Sequence, residues 1–131
     1  MIKKTIWVVD DDPIYKIIMK KIINKSELFS SISTFSDGKE AFTALNKSLE
    51  NNCNIPDIIL LDIEMPIMDG WGFMDEIAKI NPQLMRNIPI YISSSSIAAD
   101  DKEKAKNNKL ILGYMSKPIK LEDLVLIANN N

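Results

Sequence analysis

Histidine is absent from the sequence. The chain therefore cannot supply a histidine general base, carry a phosphohistidine of its own, or build a His-ligated metal site. Cysteine occurs once, at Cys53, which excludes an internal disulfide and suits a reducing compartment. Neither sign of charge is in excess: 16 Lys and Arg stand against 18 Asp and Glu, a formal charge of -2. That balance gives no electrostatic reason to expect nucleic acid or an anionic membrane surface as a partner. Long apolar runs are missing too. The N-terminal MIKKTIWVVDDD starts basic, but its apolar stretch, IWVV, is too short for a signal peptide or a membrane span. These absences together point to the cytoplasm.

What is present is ordinary for a globular chain. Of 131 residues, 46% are apolar and 26% charged, enough for one domain, spanning 1–131, and too few for a second core. Four apolar runs read as buried strands: IWVV (6–9), IILL (58–61), IPIYI (88–92) and LILGYM (110–115). A weaker run, SISTF (31–35), alternates as an outer strand does. Helical spacing fills the gaps. PIYKIIMKKIIN (13–24) sets Ile14, Ile17, Ile18, Met19 and Ile22 on one stripe, expected to be buried, with lysines opposite. KEAFTALNKSL (39–49), WGFMDEIAKI (71–80), AADDKEKAKN (98–107) and LEDLVLIA (121–128) follow. Strands alternating with helices imply an α/β fold, a parallel sheet covered on both faces.

In such a sheet the C-terminal strand ends form one rim, where ligands bind. The first strand runs into Asp10-Asp11-Asp12, the third into Asp62, the fourth into Ser93 to Ser96, and the fifth into Ser116-Lys117-Pro118. Each has a local explanation when taken alone. Asp12-Pro13 reads as a helix cap followed by proline at the first helical position. Asp62 could cap a turn, and serines after a strand are commonly loop residues. Collected on one rim, Asp10, Asp11 and Asp62 are costly. Two unit charges about 4 Å apart repel by roughly 4 kcal/mol at an effective dielectric near 20. Lys117 supplies one compensating charge, and a divalent ion would supply the rest. An all-oxygen ligand set favours Mg2+ or Mn2+ over zinc.

VVDDDP (8–13), PDIILLDIEMPIMDGW (56–71), IPIYISSSS (88–96) and GYMSKPI (113–119) together resemble the receiver domain of bacterial two-component response regulators, of the chemotaxis-regulator type. The resemblance covers essentially the whole chain and is carried mainly by the long middle motif. It implies a flavodoxin-like, doubly wound five-stranded parallel sheet with strand order 2-1-3-4-5. It also implies that Asp62 is the phospho-acceptor. Asp11 and Asp62 would hold Mg2+ directly, the backbone carbonyl of Glu64 would be a third ligand, and Asp10 would act through water. Lys117 would pair with the acceptor and then with the phosphoryl group, next to a cis Lys117–Pro118 bond. The family places a hydroxyl after four residues beyond the strand-4 proline. Counting from Pro89 gives Ser94, although Ser93 stands where an apolar residue is usual, and a slip of one would transfer the role to Ser93. Tyr114, three residues before Lys117, matches a switch aromatic. Glu64 and Ser96 match positions that tune hydrolysis.

The implied reaction transfers a phosphoryl group from a histidine kinase or histidine phosphotransfer protein onto Asp62, without separate enzymatic turnover. The expected output is binding of a downstream protein target, or a phosphorelay. That target would use the face made by the helical segment at about 98–107, the fifth strand and the helical segment at about 121–128. The chain stops soon after this last segment, so the expectation is a stand-alone receiver or a fragment. Two rivals keep the same rim. An aspartyl-nucleophile phosphohydrolase would want an Asp where Glu64 stands and, usually, a cap domain. A degenerate receiver would bind partners without phosphorylation, against which the intact Asp10, Asp11, Asp62 and Lys117 set speaks.

Overall fold

The computed structural model describes residues 3–80, 82–85, 88–95 and 99–129. Among them, five strands form one parallel sheet in the order β2-β1-β3-β4-β5. The strands are β1 (Lys4–Val9), β2 (Phe29–Phe35), β3 (Ile58–Leu61), β4 (Ile90–Ser94) and β5 (Ile111–Ser116). The helices are α1 (Pro13–Ser26), α2 (Gly38–Asn51), α3 (Gly70–Ile77), α4 (Pro82–Met85), α5 (Ala99–Asn107) and α6 (Leu121–Asn129). The implied doubly wound topology is the one observed.

The apolar runs are continuous because both sheet faces are covered. Along β1 and β3, Ile6, Val8, Ile58 and Leu60 pack with Met19 and Ile23 of α1 and Leu124 and Ile127 of α6. Their neighbours Trp7, Val9, Ile59 and Leu61 pack on the other face with Leu45 of α2, Phe73 and Ile77 of α3 and Ala105 of α5. The period of two along a strand thus sorts one run into two cores. Aspartates start three of the helices. Asp12 accepts from the N–H groups of Ile14 and Tyr15, Asp37 from Glu40, and Asp69 from Gly72, each satisfying donors that the first turn leaves unpaired.

Three details differ from the sequence reading. In α1, Ile14, Ile17 and Ile18 are exposed, at 68%, 55% and 47%, while Tyr15, Met19 and Ile23 turn inward. The segment carries more apolar residues than one helix face can bury, so periodicity did not choose between them. The fourth strand starts later than expected and includes Ser93 and Ser94, which pair with Met115 and Ser116. Pro89 has no N–H for the ladder, although its carbonyl still accepts from Ile59 at 3.0 Å. The helix expected over 71–80 ends at Ile77, and the four-residue α4 follows it. Pro82 has no N–H to offer Ala78, so the helix could not run through it.

Glycine draws the loop after β3 against the sheet. Gly70 donates to the Ile63 carbonyl at 2.8 Å. A Cβ at this position would run into the Asp62 carbonyl oxygen and come within 3.0 Å of Ile63 Cα. Gly70→Ala should therefore lower stability by about 1–3 kcal/mol through overpacking against backbone, although Ala is the better helix former. Urea unfolding measures this, and a variant as stable as the parent would refute the close approach.

Candidate functional site

Backbone pairing beyond the strand ends aims two carboxylates at the same place. Asp10 donates its N–H to the Phe35 carbonyl, and Asp62 donates its N–H to the Val9 carbonyl, both at 2.9 Å. Each therefore prolongs the sheet by one residue, and both are buried, Asp10 at 1% and Asp62 at 7% exposure. Asp11 lies exposed beside them. Carboxylate oxygens of Asp10, Asp11 and Asp62 all lie within 4.8 Å of one another. From β5, the Lys117 N–H donates to the Ser94 carbonyl at 3.0 Å. Its side chain reaches back so that Nζ donates to Asp10 Oδ2 and sits 3.5 Å from Asp62 Oδ1. The Lys117–Pro118 bond is cis, as expected.

The other oxygen of Asp10, Oδ1, accepts from the Asp12 N–H at 2.9 Å. Asp62 is less well provided for. Burial, and then the neighbouring Asp10 charge, push its carboxyl from the ordinary 3.8 up to about 6, against the pull of Lys117 and the Ile63 N–H. Burial by itself would weaken Lys117 as a base. The hydrogen bond to Asp10 and the two nearby carboxylates outweigh it and hold the ammonium above its usual value. The rim thus has more negative charge than Lys117 neutralises. Its donors are hard oxygens close enough to share one ion, which suits Mg2+ or Mn2+.

The serine doublet at the end of β4 divides between the two faces. Ser93 and Ser94 are each 3% exposed. Ser93 Oγ lies 3.3 Å from the Tyr15 hydroxyl on the α1–α6 side. The alternation that sends Ile90 and Ile92 into the opposite core sends Ser94 there too. Tyr114, paired in register with Ile92, packs half-buried against that same core. Glu64 is exposed in the loop after Asp62, and Ser96 lies outside the described residues. The sequence reading missed Tyr15, whose ring also lies under Lys117 Nζ at 4.3 Å from its centroid. Its only signal was an aromatic among isoleucines at a helix start.

A family model described as the response regulator receiver domain matches residues 6–129. The chain belongs to the response regulator receiver family. Receivers are signalling domains of two-component systems, are phosphorylated on aspartate as a general feature, and generally bind Mg2+ at an acidic cluster. Solved structures agree. A two-component response regulator from Cytophaga hutchinsonii is 26% identical, with a TM-score of 0.90 over 98% of this chain and 96% of that one. The phosphorylated cyanobacterial phytochrome response regulator RcpA is 30% identical, with a TM-score of 0.76 over 96% and 89%. The Mn(2+)-bound response regulator Rcp1 is 27% identical, with a TM-score of 0.73 over 95% and 88%. Curated relatives can be much longer: this receiver spans 75% of one of them but 24% of others. Among the described residues no helix is long and apolar enough to cross a membrane.

The raised Asp62 value fixes the sign of a pH effect. Without metal, the folded state holds the Asp62 proton more tightly than the unfolded chain does. This stabilising contribution is complete below about 3.8 and is lost as pH rises through about 6. Asp62→Asn cannot lose it. In EDTA, the variant should gain stability over the parent as pH rises across that window, with a plateau above it. Mg2+ should narrow the gap by binding the parent's folded state. Thermal melts from pH 4 to 8 test this, and a gap that does not vary with pH refutes it.

Proposed function

We propose that this receiver, taken as one domain over residues 1–131, accepts a phosphoryl group on Asp62 from a phosphohistidine of a partner kinase or phosphotransfer protein in the cytoplasm. The observation that carries the reading is the buried Asp62 at the centre of the rim, with two carboxylates within 4.8 Å and an ammonium at 3.5 Å. Asp11 and Asp62 would hold Mg2+ by their side chains, Glu64 by its backbone carbonyl, and Asp10 through water. The Mn(2+) of Rcp1 and the phosphorylated state of RcpA support this assignment by likeness. When bound, the ion supplies the positive charge that lets an anionic donor approach an anionic rim.

The rest of the chemistry falls to the chain. An Asp62 carboxylate oxygen attacks phosphorus, the bond from phosphorus to the imidazole nitrogen breaks, and the departing imidazole takes up a proton. The product is a mixed anhydride on Asp62. Lys117, 3.5 Å from the acceptor, needs only a short swing from Asp10 to meet a phosphoryl oxygen. The Ser94 hydroxyl would hold another oxygen, since it lies on the side of the sheet shared with Tyr114, whereas Ser93 faces Tyr15 on the other side. Water later cleaves the anhydride, and Glu64, exposed in the loop after Asp62, would tune that step.

A receiver in this role accumulates one acid-labile phosphate when incubated with acetyl phosphate and Mg2+, and Asp62→Asn abolishes the gain. Mass spectrometry reads both. An aspartyl phosphohydrolase would turn the donor over without accumulating phosphate, and a degenerate receiver would do neither. Gain of phosphate by Asp62→Asn at the parent's rate would remove Asp62 from its role.

The signal leaves through Ser94 and Tyr114. Across from α3, the charged α5 buries Ala105 and is tied to Trp71 by an Asp101 hydrogen bond at 3.1 Å. An element so lightly packed can shift when a neighbour moves. The downstream partner would meet the face made by α5, β5 and α6. Phosphorylation should therefore perturb backbone NMR signals between Ser93 and Lys117 more than those of α1, and Ser94→Ala should shrink the change near Tyr114 while leaving phosphorylation in place. An equal response in α1 and around Tyr114 would exclude this output face.

A further inference from the structure

Tyr15 stands in the first turn of α1, and two contacts tie it to the acidic rim. The backbone N–H of Tyr15 reaches the Asp12 carboxylate at 3.2 Å, so the cap sets the turn from which the ring projects. The hydroxyl lies 3.3 Å from Ser93 Oγ, and Ser93 is buried at the end of β4. The ring is thus held between two elements of the frame. Lys117 Nζ sits 4.3 Å from the ring centroid, well inside the roughly 6 Å reach of a cation–π contact.

Electrostatics alone does not explain where Lys117 points. Three carboxylates attract an ammonium from many directions, and a lysine stem can reach them by many rotamers. A flat aromatic face on one side removes most of those approaches. With the ring on one side, Nζ donates to Asp10 Oδ2 and remains within 3.5 Å of Asp62 Oδ1. From that position the same ammonium can serve the acceptor before and after phosphoryl transfer.

We propose that Tyr15 is a positioning residue for Lys117: its ring face holds the ammonium between Asp10 and Asp62, and the Ser93 hydroxyl fixes the ring. This rests on the reading of Lys117 as the partner of the phosphoryl group. It gives Ser93 a function distinct from that of Ser94. It also explains why Tyr15 faces inward while Ile14, beside it, is exposed.

Two variants separate the parts. Tyr15→Phe keeps the ring and loses the hydroxyl, whereas Tyr15→Leu loses the ring. The first readout needs no phosphorylation. The Lys117 ε-methylene NMR signals should be displaced upfield by the ring current in the parent and in Tyr15→Phe, and should return to ordinary lysine positions in Tyr15→Leu. The second is the rate of phosphorylation by acetyl phosphate with Mg2+, expected to fall roughly fivefold in Tyr15→Leu and less than about twofold in Tyr15→Phe, as loss of one partly desolvated cation–π contact implies. Should Tyr15→Leu not fold, Tyr15→Met takes its place. Unshifted Lys117 signals in the parent, or a parental rate in the ringless variant, overturn the proposal. If the parent takes up no phosphate, the functional reading fails, and the ring-current comparison still decides whether Tyr15 holds Lys117.

Discussion

Two carboxylates buried side by side, with one ammonium between them, are the constraint around which this receiver is arranged. Asp10 and Asp62 reach the same point because each adds one backbone hydrogen bond to the sheet beyond its strand. Burial removes the water that would screen them, so their repulsion is felt within the structure. Lost hydration first, and the Asp10 charge second, raise the Asp62 carboxyl from 3.8 to about 6. A fold seeking only stability would place an apolar residue there. Retaining the charge keeps a carboxylate in a pocket that attracts cations, at a cost that a bound cation can offset.

The neighbouring parts are set to hold this arrangement still. Gly70 presses the loop after β3 against the Asp62 carbonyl. Asp12 anchors α1 directly after the acidic pair and accepts the Tyr15 N–H. The Lys117 N–H is bound to β4, so the base of the lysine is fixed while its end reaches the carboxylates. Of the longer helices among the described residues, α5, with its charged surface, buries least, Ala105 being its one buried residue. Rigid support on one side of the site and a loosely held helix on the other is an arrangement in which a local change of charge can be transmitted in one direction.

Much of this could be read from the residues. Continuous runs such as IILL announce strands covered on both faces, and Asp12-Pro13 marks the start of α1. The rim set of Asp10, Asp11, Asp62 and Lys117 follows from strand ends and is assembled as expected. The misses share one cause, the competition between local pattern and neighbours distant in sequence. In α1, apolar residues outnumber the positions that the sheet and α6 can cover, so only the packed structure distinguishes Tyr15 from Ile14. Likewise, Ile67 adopts a left-handed φ of 68° in the loop after β3. A β-branched side chain gives no local hint of that conformation, which it rarely takes.

The division of Ser93 and Ser94 between opposite faces has a further consequence for how this site tolerates insertion. A single residue added earlier in β4 would exchange every inward position for its neighbour. At the strand end, Ile92 would take the place that Ser93 holds beside Tyr15, and Ser93 would take that of Ser94. Within the strand the insertion would be ruinous, since Ile92 and Tyr91 would trade cores of different shape. The register of this strand is therefore guarded by its hydrophobic residues, and the serine run that follows inherits its geometry from them.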